Sequence, residues 1–302
     1  MEQKTNRFYA LLPWLMTFAV LGGFTLYSAV YKVDYNPFEI KSIKGNLLSS
    51  MRIHLLEAIE SEKNAVMAIT DEESESFAAK ARQATDSVEK NRKEIESIIH
   101  KDEFQREAEL LNEFNACWTQ YRKLDETILD LAVQNTNLKA QKISSTQCAQ
   151  EMARFEESLS RIIQHNKTGK QCSETAMVAY EALTASLNIY TLHKPHIEEA
   201  DDQAMDKIEQ RIKAYDGSAR NALAALSRVA SSSDGEDLKN AEQAYLQFME
   251  LTNEVLRLSR MNTNVKSSEL SLGKQWIISS QCQEILATLQ ESVQARQSKA
   301  TR

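Results

Sequence analysis

The sequence predicts an all-α protein, in which an N-terminal transmembrane helix is followed by long antiparallel helices that form two four-helix-bundle modules. Three observations predict this fold class. Residues 8–31 form an uncharged apolar run. Most of the remaining chain carries apolar residues at alternating spacings of three and four, the pattern of an amphipathic helix. Neither glycine nor proline occurs between Asn46 and Thr168, so this segment lacks the turn residues that separate short strands.

The apolar run at 8–31 is long enough to cross a bilayer. Its 24 residues lie between Arg7 and Lys32, and as a helix they span roughly 36 Å, against about 30 Å for the hydrocarbon core. Lys4 and Arg7 place residues 1–7 in the cytoplasm by the positive-inside rule. A cleaved signal peptide is disfavoured, because the run exceeds a usual signal core and no small-x-small site follows it. We therefore expect a single-pass protein of the bacterial inner (plasma) membrane, mostly periplasmic or extracellular.

Eight helices are expected after the anchor, because the apolar stripe stops and restarts seven times. Single stripes of this kind are not stable alone in water, so the helices must pack together. The stripes cover 48–69, 77–98, 110–131, 138–162, 176–190, 208–229, 241–258 and 278–289. The polar breaks between them fall at 70–72, 100–102, 135–137, 166–170, 193–195, 231–235 and 262–264.

The two halves of this region resemble each other. Trp118-x-x-Tyr121 matches Tyr245-x-x-Phe248, and Asn-Thr-Asn occurs at both 135–137 and 262–264, all at an offset of 127. Further on, residues 143–148 align with 278–282 at an offset of 134–135, which indicates an insertion of about one heptad in the second copy. We therefore predict tandem modules of four helices each, at 32–167 and 168–302.

Several residues of the first half also carry a resemblance to a known family. These are the segment from Glu62-Lys63 to Thr70-Asp71-Glu72-Glu73, the helix around Phe77, Trp118-x-x-Tyr121, and the segment from Leu129 to Ala140. Together they resemble the four-helix-bundle sensor domain of methyl-accepting chemotaxis receptors, over about residues 10–165 with a weaker echo to 300. The helical bimodular receptor domain, with two stacked bundles, is a related possibility. The resemblance implies a role in signal transduction and pairing of two copies.

The sequence departs from such receptors at its C-terminal end. The receptors return through a second transmembrane helix to a cytoplasmic signalling coiled coil, whereas this sequence stops at Arg302. We expect a stand-alone sensor-like protein that acts through a partner, and a fragment of a longer receptor is the alternative.

Composition and motifs argue against catalysis and nucleic-acid binding. The net charge is −7 and the pI is about 5.5, which is unlike a nucleic-acid-binding surface. The sequence has no Gly-rich phosphate loop, no nucleophile elbow, and no haem-attachment or zinc-type Cys/His spacing. His193 and His196 flank Pro195, which we expect to end a helix, so a polar turn is favoured over a metal site. We expect no enzyme activity, cofactor or metal.

The four cysteines lie outside the membrane in this interpretation, where disulfides are permitted. Cys117, Cys148 and Cys282 fall in apolar stripes, and we expect them to be small buried apolar residues. If the third helix reverses at 136, Cys117 and Cys148 lie about 10 Å out of level, too far for a bridge. The sequence leaves the disulfide state of these residues and of Cys172 open.

The best hint of a ligand lies in the stripe of the first module. Glu62 and Ser145 each lie nine residues from an expected turn, so they would share one layer about 13 Å from the end of the bundle. Gln141 and Lys80 lie close to that layer. A buried carboxylate needs partners, and these four residues could form a polar pocket for a small cationic or amino-acid-like ligand. The favoured alternative is that Glu62 sets helix register or turns to the surface.

The leading functional hypothesis is a sensor-like helical bundle that acts in signal transduction. It would bind a small ligand or a protein partner and shift its helices along their axes. We expect a homodimer or a complex with another membrane protein. A structural or adaptor subunit of a membrane complex is the alternative.

Overall fold

A computed structural model of the chain describes residues 37–99, 104–167 and 172–295. All regular structure in these segments is helical, which confirms the all-α prediction. The predicted tail at 1–7 and anchor at 8–31 lie outside the described residues. Among the helices that are described, none combines the length and the apolar character needed to cross a membrane.

The described residues contain eight long helices at the predicted places. In two of them, a π-helical turn joins two α-helical segments, and we count each such run as one helix. These are α4, which spans 136–165, and α8, which spans 263–295. The helices are α1 (Pro37–Met67), α2 (Asp71–Ile99), α3 (Gln105–Ala132), α4 (Thr136–Ile143, Ser144–Cys148 and Ala149–His165), α5 (Cys172–Glu198), α6 (Asp202–Val229), α7 (Gly235–Met261) and α8 (Thr263–Leu270, Ser271–Gln275 and Trp276–Ala295).

The eight helices pack as two four-helix bundles, but the bundles do not contain consecutive helices. Helices α1, α2, α3 and α8 form bundle A, and α4, α5, α6 and α7 form bundle B. The core of bundle A includes Leu55, Val88, Phe114, Tyr121 and Leu286. The core of bundle B includes Phe155, Ile189, Ile212, Phe248 and Leu226. The division at 167/168 predicted from the sequence therefore does not describe the packing, because α4 belongs to bundle B and α8 to bundle A.

The physical reason for this exchange lies at the breaks after α3 and α7. The sequence predicted that the chain reverses at 135–137, which would return α4 alongside α3. Instead, Asn135 and Asn262 each adopt the left-handed conformation, with φ of 49° and 55°, for a single residue. The chain continues from each of them into the other bundle. Asparagine tolerates this conformation better than most non-glycine residues.

Helices α1 and α8 bring both ends of the described chain to the same end of bundle A. Near that end, Lys41 Nζ donates a hydrogen bond to the Gln294 carbonyl oxygen at 2.7 Å. Further along, a Cys117–Cys282 disulfide, with the Cα atoms 5.8 Å apart, joins α3 to α8. Both cysteines are buried as expected, and the disulfide state that the sequence left open follows from the packing of α8, rather than α4, beside α3. Cys148 is free and buried, and Cys172 is free and half-buried.

Helix α5 does not stop at the predicted polar turn. It continues through Pro195 to Glu198, and His193 and His196 are buried inside bundle B. Proline removes one backbone donor from a helix, and its ring crowds the carbonyl of the preceding turn. Helix α5 continues for only three residues beyond Pro195. The two histidines are three residues apart and share the buried face of the helix. Among the described residues, no three or more His, Cys, Asp or Glu side chains come together in a group that could hold a metal ion.

Candidate functional site

The two places where the chain passes between the bundles lie side by side and hold each other. The backbone N–H of Thr136 donates to Thr263 Oγ1, and the N–H of Thr263 donates to Thr136 Oγ1, both at 3.2 Å. The N–H of Asn137 donates to Asn264 Oδ1 at 3.1 Å, and the reverse bond is 3.2 Å long. These bonds pair the first N–H groups of α4 and α8, which have no acceptor within their own helices.

The asparagine side chains connect this junction to the turns of both bundles. Asn135 Nδ2 donates to Asp71 Oδ1 at 3.0 Å, at the start of α2 in bundle A. Asn262 Nδ2 donates to the Glu199 carbonyl oxygen at 2.9 Å, just after α5 in bundle B. Asn137 Nδ2 donates to Asn262 Oδ1 at 2.8 Å. The Asn-Thr-Asn repeat seen in the sequence is therefore a two-fold-like clamp between the bundles, which we call the junction.

The π-helical turns show that the repeat keeps its offset past the junction. The turns at Ser144–Cys148 and Ser271–Gln275 are 127 residues apart, the same offset as the repeat. The shift to 134–135 predicted by matching residues 143–148 with 278–282 is therefore wrong at this position. A π-turn inserts one extra residue into a helix and often marks a functional position. Here the two turns place Ser144 in bundle B and Ser271 in bundle A, each beside a buried titratable side chain.

In bundle B that side chain is His193. Its Nδ1 lies 2.9 Å from Ser144 Oγ, and its Nε2 lies 3.1 Å from Thr252 Oγ1. The ring stacks on Phe248, with 5.8 Å between the ring centroids. Burial, together with the nearby His196, lowers the pKa of His193 to about 4. Both ring nitrogens of the neutral imidazole have hydroxyl partners, so this position in bundle B is a completed hydrogen-bond network.

The corresponding position in bundle A carries different chemistry. By the 127 offset, Tyr121 stands for Phe248, Asp125 for Thr252, Ser271 for Ser144 and Gln275 for Cys148. Glu62 of α1 faces the same place. We call these five residues the buried polar cluster, and none of them exposes more than 2% of its surface. Its members are Glu62, Tyr121, Asp125, Ser271 and Gln275.

Most polar atoms of the buried polar cluster have no partner. Within the part of the chain that the structure describes, no well-aligned hydrogen bond is made by either carboxylate oxygen of Glu62, the Tyr121 hydroxyl, Asp125 Oδ1, or the amide nitrogen and oxygen of Gln275. Their polar neighbours are other members of the cluster, since Ser271 lies beside Glu62, and Asp125 and Gln275 lie beside Tyr121. Burial and the neighbouring Glu62 carboxylate raise the pKa of Asp125 to about 8. Burial also raises the pKa of Glu62, although the adjacent Ser271 hydroxyl and Lys63 oppose the shift.

A surface groove leads to this cluster from the side of bundle A. It lies between α2 and α3 and has a volume of about 630 Å³. Asp125 is part of its lining, although that side chain is almost fully buried. The groove has mixed charge and is lined by Arg82, Asp86, Glu89, Arg92, Trp118, Arg122, Lys123 and Glu126, among others. Asp125 therefore lies between the open groove and the other members of the cluster.

The structure does not bring together the four residues predicted to bind a ligand. Glu62 lies in the buried polar cluster, whereas Lys80 is exposed on α2 and sits over the Phe77 ring at 5.1 Å. Gln141 and Ser145 are exposed on α4 in bundle B, where they line a separate depression of about 400 Å³. They do not share a layer with Glu62, because α4 does not return beside α3.

The sequence interpretation missed Tyr121, Asp125, Ser271 and Gln275. A signal was present for Asp125, which lies four residues after Tyr121 and three before Ile128, and therefore interrupts an apolar stripe as Glu62 does. The place of Ser271 and Gln275 depends on the packing of α8 in bundle A, which the repeat did not indicate.

Comparisons with known proteins confirm the resemblance to a sensor domain. Residues 39–179 match a family described as a four helix bundle sensory module for signal transduction. The fold is similar to that in the crystal structure of the TorS sensor domain–TorT complex in the presence of TMAO, with a TM-score of 0.56 and 11% sequence identity. That similarity covers 84% of this chain and 99% of the other. No curated protein sequence matches the chain significantly.

The matched segment includes α1 to α4 and the beginning of α5. In this protein those helices do not complete one bundle, because α4 continues into bundle B and α8 packs as the fourth helix of bundle A. The similarity to the TorS sensor domain extends over both bundles and, at 11% identity, shows the shared fold alone.

Proposed function

We propose that this chain is an extracytoplasmic sensory module that acts in signal transduction and is anchored in the membrane by residues 8–31. The observation that carries this proposal is the match of residues 39–179 to a four helix bundle sensory module. The two-bundle fold, which resembles a known sensor domain, supports it. The unpartnered polar groups inside bundle A suit a sensor better than a purely structural rod, because they weaken packing without any visible structural gain.

The geometry of bundle A supports a way to pass a signal along the molecule. Helices α1 and α8 both extend between the junction and the end of bundle A where Lys41 contacts Gln294. An anchor before residue 37 would place bundle A next to the membrane and bundle B away from it. Binding at bundle B or at the junction would then reach the membrane through an axial shift of α1 or α8, a common form of switching between packed helices.

The disulfide supports the proposed location. Disulfides persist in oxidising compartments such as the bacterial periplasm and are rare in the cytosol. Cys117 and Cys282 are joined across bundle A, whereas Cys172 is free and partly accessible. We propose that the described residues lie on the periplasmic or extracellular side of the bacterial inner membrane.

The partner of the module is proposed as a small ligand, a protein, or both. The TorS sensor domain is found in a complex with TorT, and a comparable protein partner is consistent with two stacked bundles that offer a long lateral surface. We also propose that the chain works as a homodimer or with another membrane protein.

Topology can be tested with the thiol of Cys172. In spheroplasts, a membrane-impermeant maleimide should label Cys172 in the full-length protein, and a Cys172→Ser variant should stay unlabelled. A cysteine placed in the N-terminal tail by Asn6→Cys, in the Cys172→Ser background, should react only after the membrane is permeabilised. Labelling of the tail but not of Cys172 in intact spheroplasts would reverse the proposed topology.

The sensory role can be tested on the full-length protein in nanodiscs. A metabolite screen should find a compound that raises the melting temperature through mass action, or cross-linking in intact membranes should capture a reproducible protein partner whose signalling output changes on deletion of this chain. The absence of both would overturn the sensory role. A captured partner with unchanged signalling would instead support a structural or adaptor subunit.

A further inference from the structure

We propose that the buried polar cluster of bundle A is a binding site for one small, hard cation of the Ca²⁺ or Mg²⁺ class, held between the carboxylates of Glu62 and Asp125. The Tyr121 hydroxyl, the Ser271 hydroxyl and the Gln275 amide oxygen would supply further oxygen donors. The site goes beyond the proposed sensory role, and its test does not depend on signalling.

The first argument is the number of unpartnered atoms in one place. Six side-chain atoms of Glu62, Tyr121, Asp125 and Gln275 make no well-aligned hydrogen bond within the described residues, although all four side chains are almost completely buried. The polar groups nearest to Glu62 and Tyr121 include other members of the cluster. Leaving one buried polar group unpaired costs about 1–3 kcal/mol, and more if the group is charged. Native proteins rarely leave such groups without a function or a bound partner, and four of them in one cluster indicate a built site.

The second argument is the chemistry of the donors. Every negatively polarised atom in the cluster is an oxygen, and hard cations prefer carboxylate, carbonyl and hydroxyl oxygens. No member of the cluster is basic. The two basic side chains with an attractive influence on the carboxylates, Lys63 and Arg82, have other contacts: Lys63 lies over the Trp276 ring and Arg82 pairs with Glu126 and Asp130.

The third argument comes from the matched position in bundle B. There, the residues at the same places in the repeat are Phe248, Thr252 and Cys148, and the neutral His193 makes two hydrogen bonds with hydroxyl groups. The same backbone framework therefore gives a closed, neutral network in bundle B and an open, acidic cluster in bundle A. Helix packing alone does not require carboxylates at this position.

The fourth argument is access from solvent. Asp125 lines the groove between α2 and α3, which gives a cation a path from solvent. The groups that face the two carboxylates are Tyr121 and Glu126 on α3, Lys63 on α1 and Arg82 on α2.

Occupancy of this site would also act on the junction. Ser271 and Gln275 belong to the π-turn of α8, which begins eight residues after Thr263 of the junction. A cation held by α1, α3 and this turn would fix α8 against the other two helices. The site therefore couples the chemistry of bundle A to the place where the bundles meet.

The test uses the full-length protein in detergent, stripped with EDTA and then titrated at pH 8 with Ca²⁺, Mg²⁺ and Tb³⁺. We expect Ca²⁺ or Mg²⁺ to raise the melting temperature, and we expect Tb³⁺ emission that is sensitised by Tyr121 and displaced by Ca²⁺. Glu62→Gln and Asp125→Asn keep the side-chain size and should each weaken binding at least tenfold. Glu60→Gln, an exposed position on the same helix, should bind like the unmodified protein.

One further variant keeps the test decisive. If a carboxylate variant loses its cooperative unfolding, Tyr121→Phe removes only one hydroxyl donor and should still weaken binding several-fold. The absence of stabilisation and of sensitised emission would overturn the site, and so would equal binding by Glu62→Gln, Asp125→Asn and Glu60→Gln.

Discussion

Thr136 and Thr263, 127 residues apart in the chain, each donate a backbone N–H to the side-chain oxygen of the other at 3.2 Å. Their hydroxyl oxygens are 3.1 Å apart, and both residues are buried. Each residue is the first of a helix that has just entered a new bundle. The pair therefore holds the two chain passages together, and it accounts for a sequence repeat that at first indicated two separate modules.

The junction should show strong coupling in a double-mutant cycle. Thr136→Val removes the acceptor of the Thr263 N–H, and Thr263→Val does the reverse, so each leaves a buried donor unpaired and should cost about 1–3 kcal/mol. The two effects should not add, and we expect a coupling free energy above about 0.5 kcal/mol from denaturant unfolding. Thr127→Val, at an exposed position on α3, is the control. Additive effects would show that the two threonines act independently.

Reduction of the disulfide should selectively loosen bundle A. The bond closes a loop between residues 165 positions apart, and the loss of such a link costs about 2–5 kcal/mol. Cys282→Ala should lower the free energy of unfolding by that amount, and the stability of this variant should no longer change when dithiothreitol is added.

Thiol counting checks the same assignment directly. Of the four cysteines in the chain, two should react with a thiol reagent in denaturant without reductant, namely Cys148 and Cys172. Cys172→Ser should leave stability and the response to dithiothreitol unchanged. Four reactive thiols in protein prepared from the periplasmic side would contradict the bridge.

Helix existence was predictable from sequence because it depends on local spacing. The apolar stripes placed all eight helices, since a three-four rhythm buries one helix face in any bundle arrangement. Which helices share a bundle was not predictable, because a hairpin at 135–137 and a passage into a second bundle need the same polar break. The left-handed Asn135 and Asn262 decide between them, and their conformation depends on the partner segment.

The same dependence on helix packing explains why only Glu62 of the buried polar cluster was predicted from the sequence. Glu62 was identified because a carboxylate in an apolar stripe is visible in one helix alone. Its neighbours Asp125 and Gln275 are brought to it by α3 and α8, whereas Gln141 and Ser145 were assigned to it through a hairpin that does not form. Pro195 was similarly taken as a stop, although helix α5 continues for three more residues and buries His196 beyond it.

The buried ion pair near the open end of bundle A should matter more than surface pairs. Lys44 Nζ lies 2.8 Å from Glu107 Oε2, and both side chains are at most 2% exposed. Lys44→Met removes this counter-ion from a buried carboxylate and should cost about 3–5 kcal/mol. The double variant Lys44→Met/Glu107→Leu should recover most of that loss.

An exposed pair provides the comparison. Arg257 and Glu254 on α7 lie 2.7 Å apart but are largely exposed, so Arg257→Met should change the free energy of unfolding by less than about 1 kcal/mol. A loss for Lys44→Met no larger than that of Arg257→Met, in denaturant titrations, would show that the buried pair is not a significant stabilising contact.

The two bundles should respond to pH in opposite directions. The folded pKa of Asp125 is raised to about 8 by burial and Glu62, so its contribution is fully present below the unfolded value near 4 and is lost as pH rises through 8. The folded pKa of His193 is lowered to about 4 by burial and His196. Its contribution is therefore present above the unfolded value near 6.5 and is lost as pH falls towards 4.

These opposite responses can be measured separately in EDTA, which removes any bound cation. Of the three tryptophans, Trp118 and Trp276 lie in bundle A and the third precedes the described residues, so tryptophan fluorescence reports unfolding of bundle A. Hydrogen exchange of α5 and α7 peptides, corrected for intrinsic rates, reports bundle B. Asp125→Asn should flatten the loss of bundle A stability between pH 5 and 8, and His193→Gln should flatten the loss of bundle B stability between pH 6.5 and 4. If instead both bundles lost stability in the same direction, the buried Asp125 and His193 would not control the pH response, because only their opposite shifts separate the two.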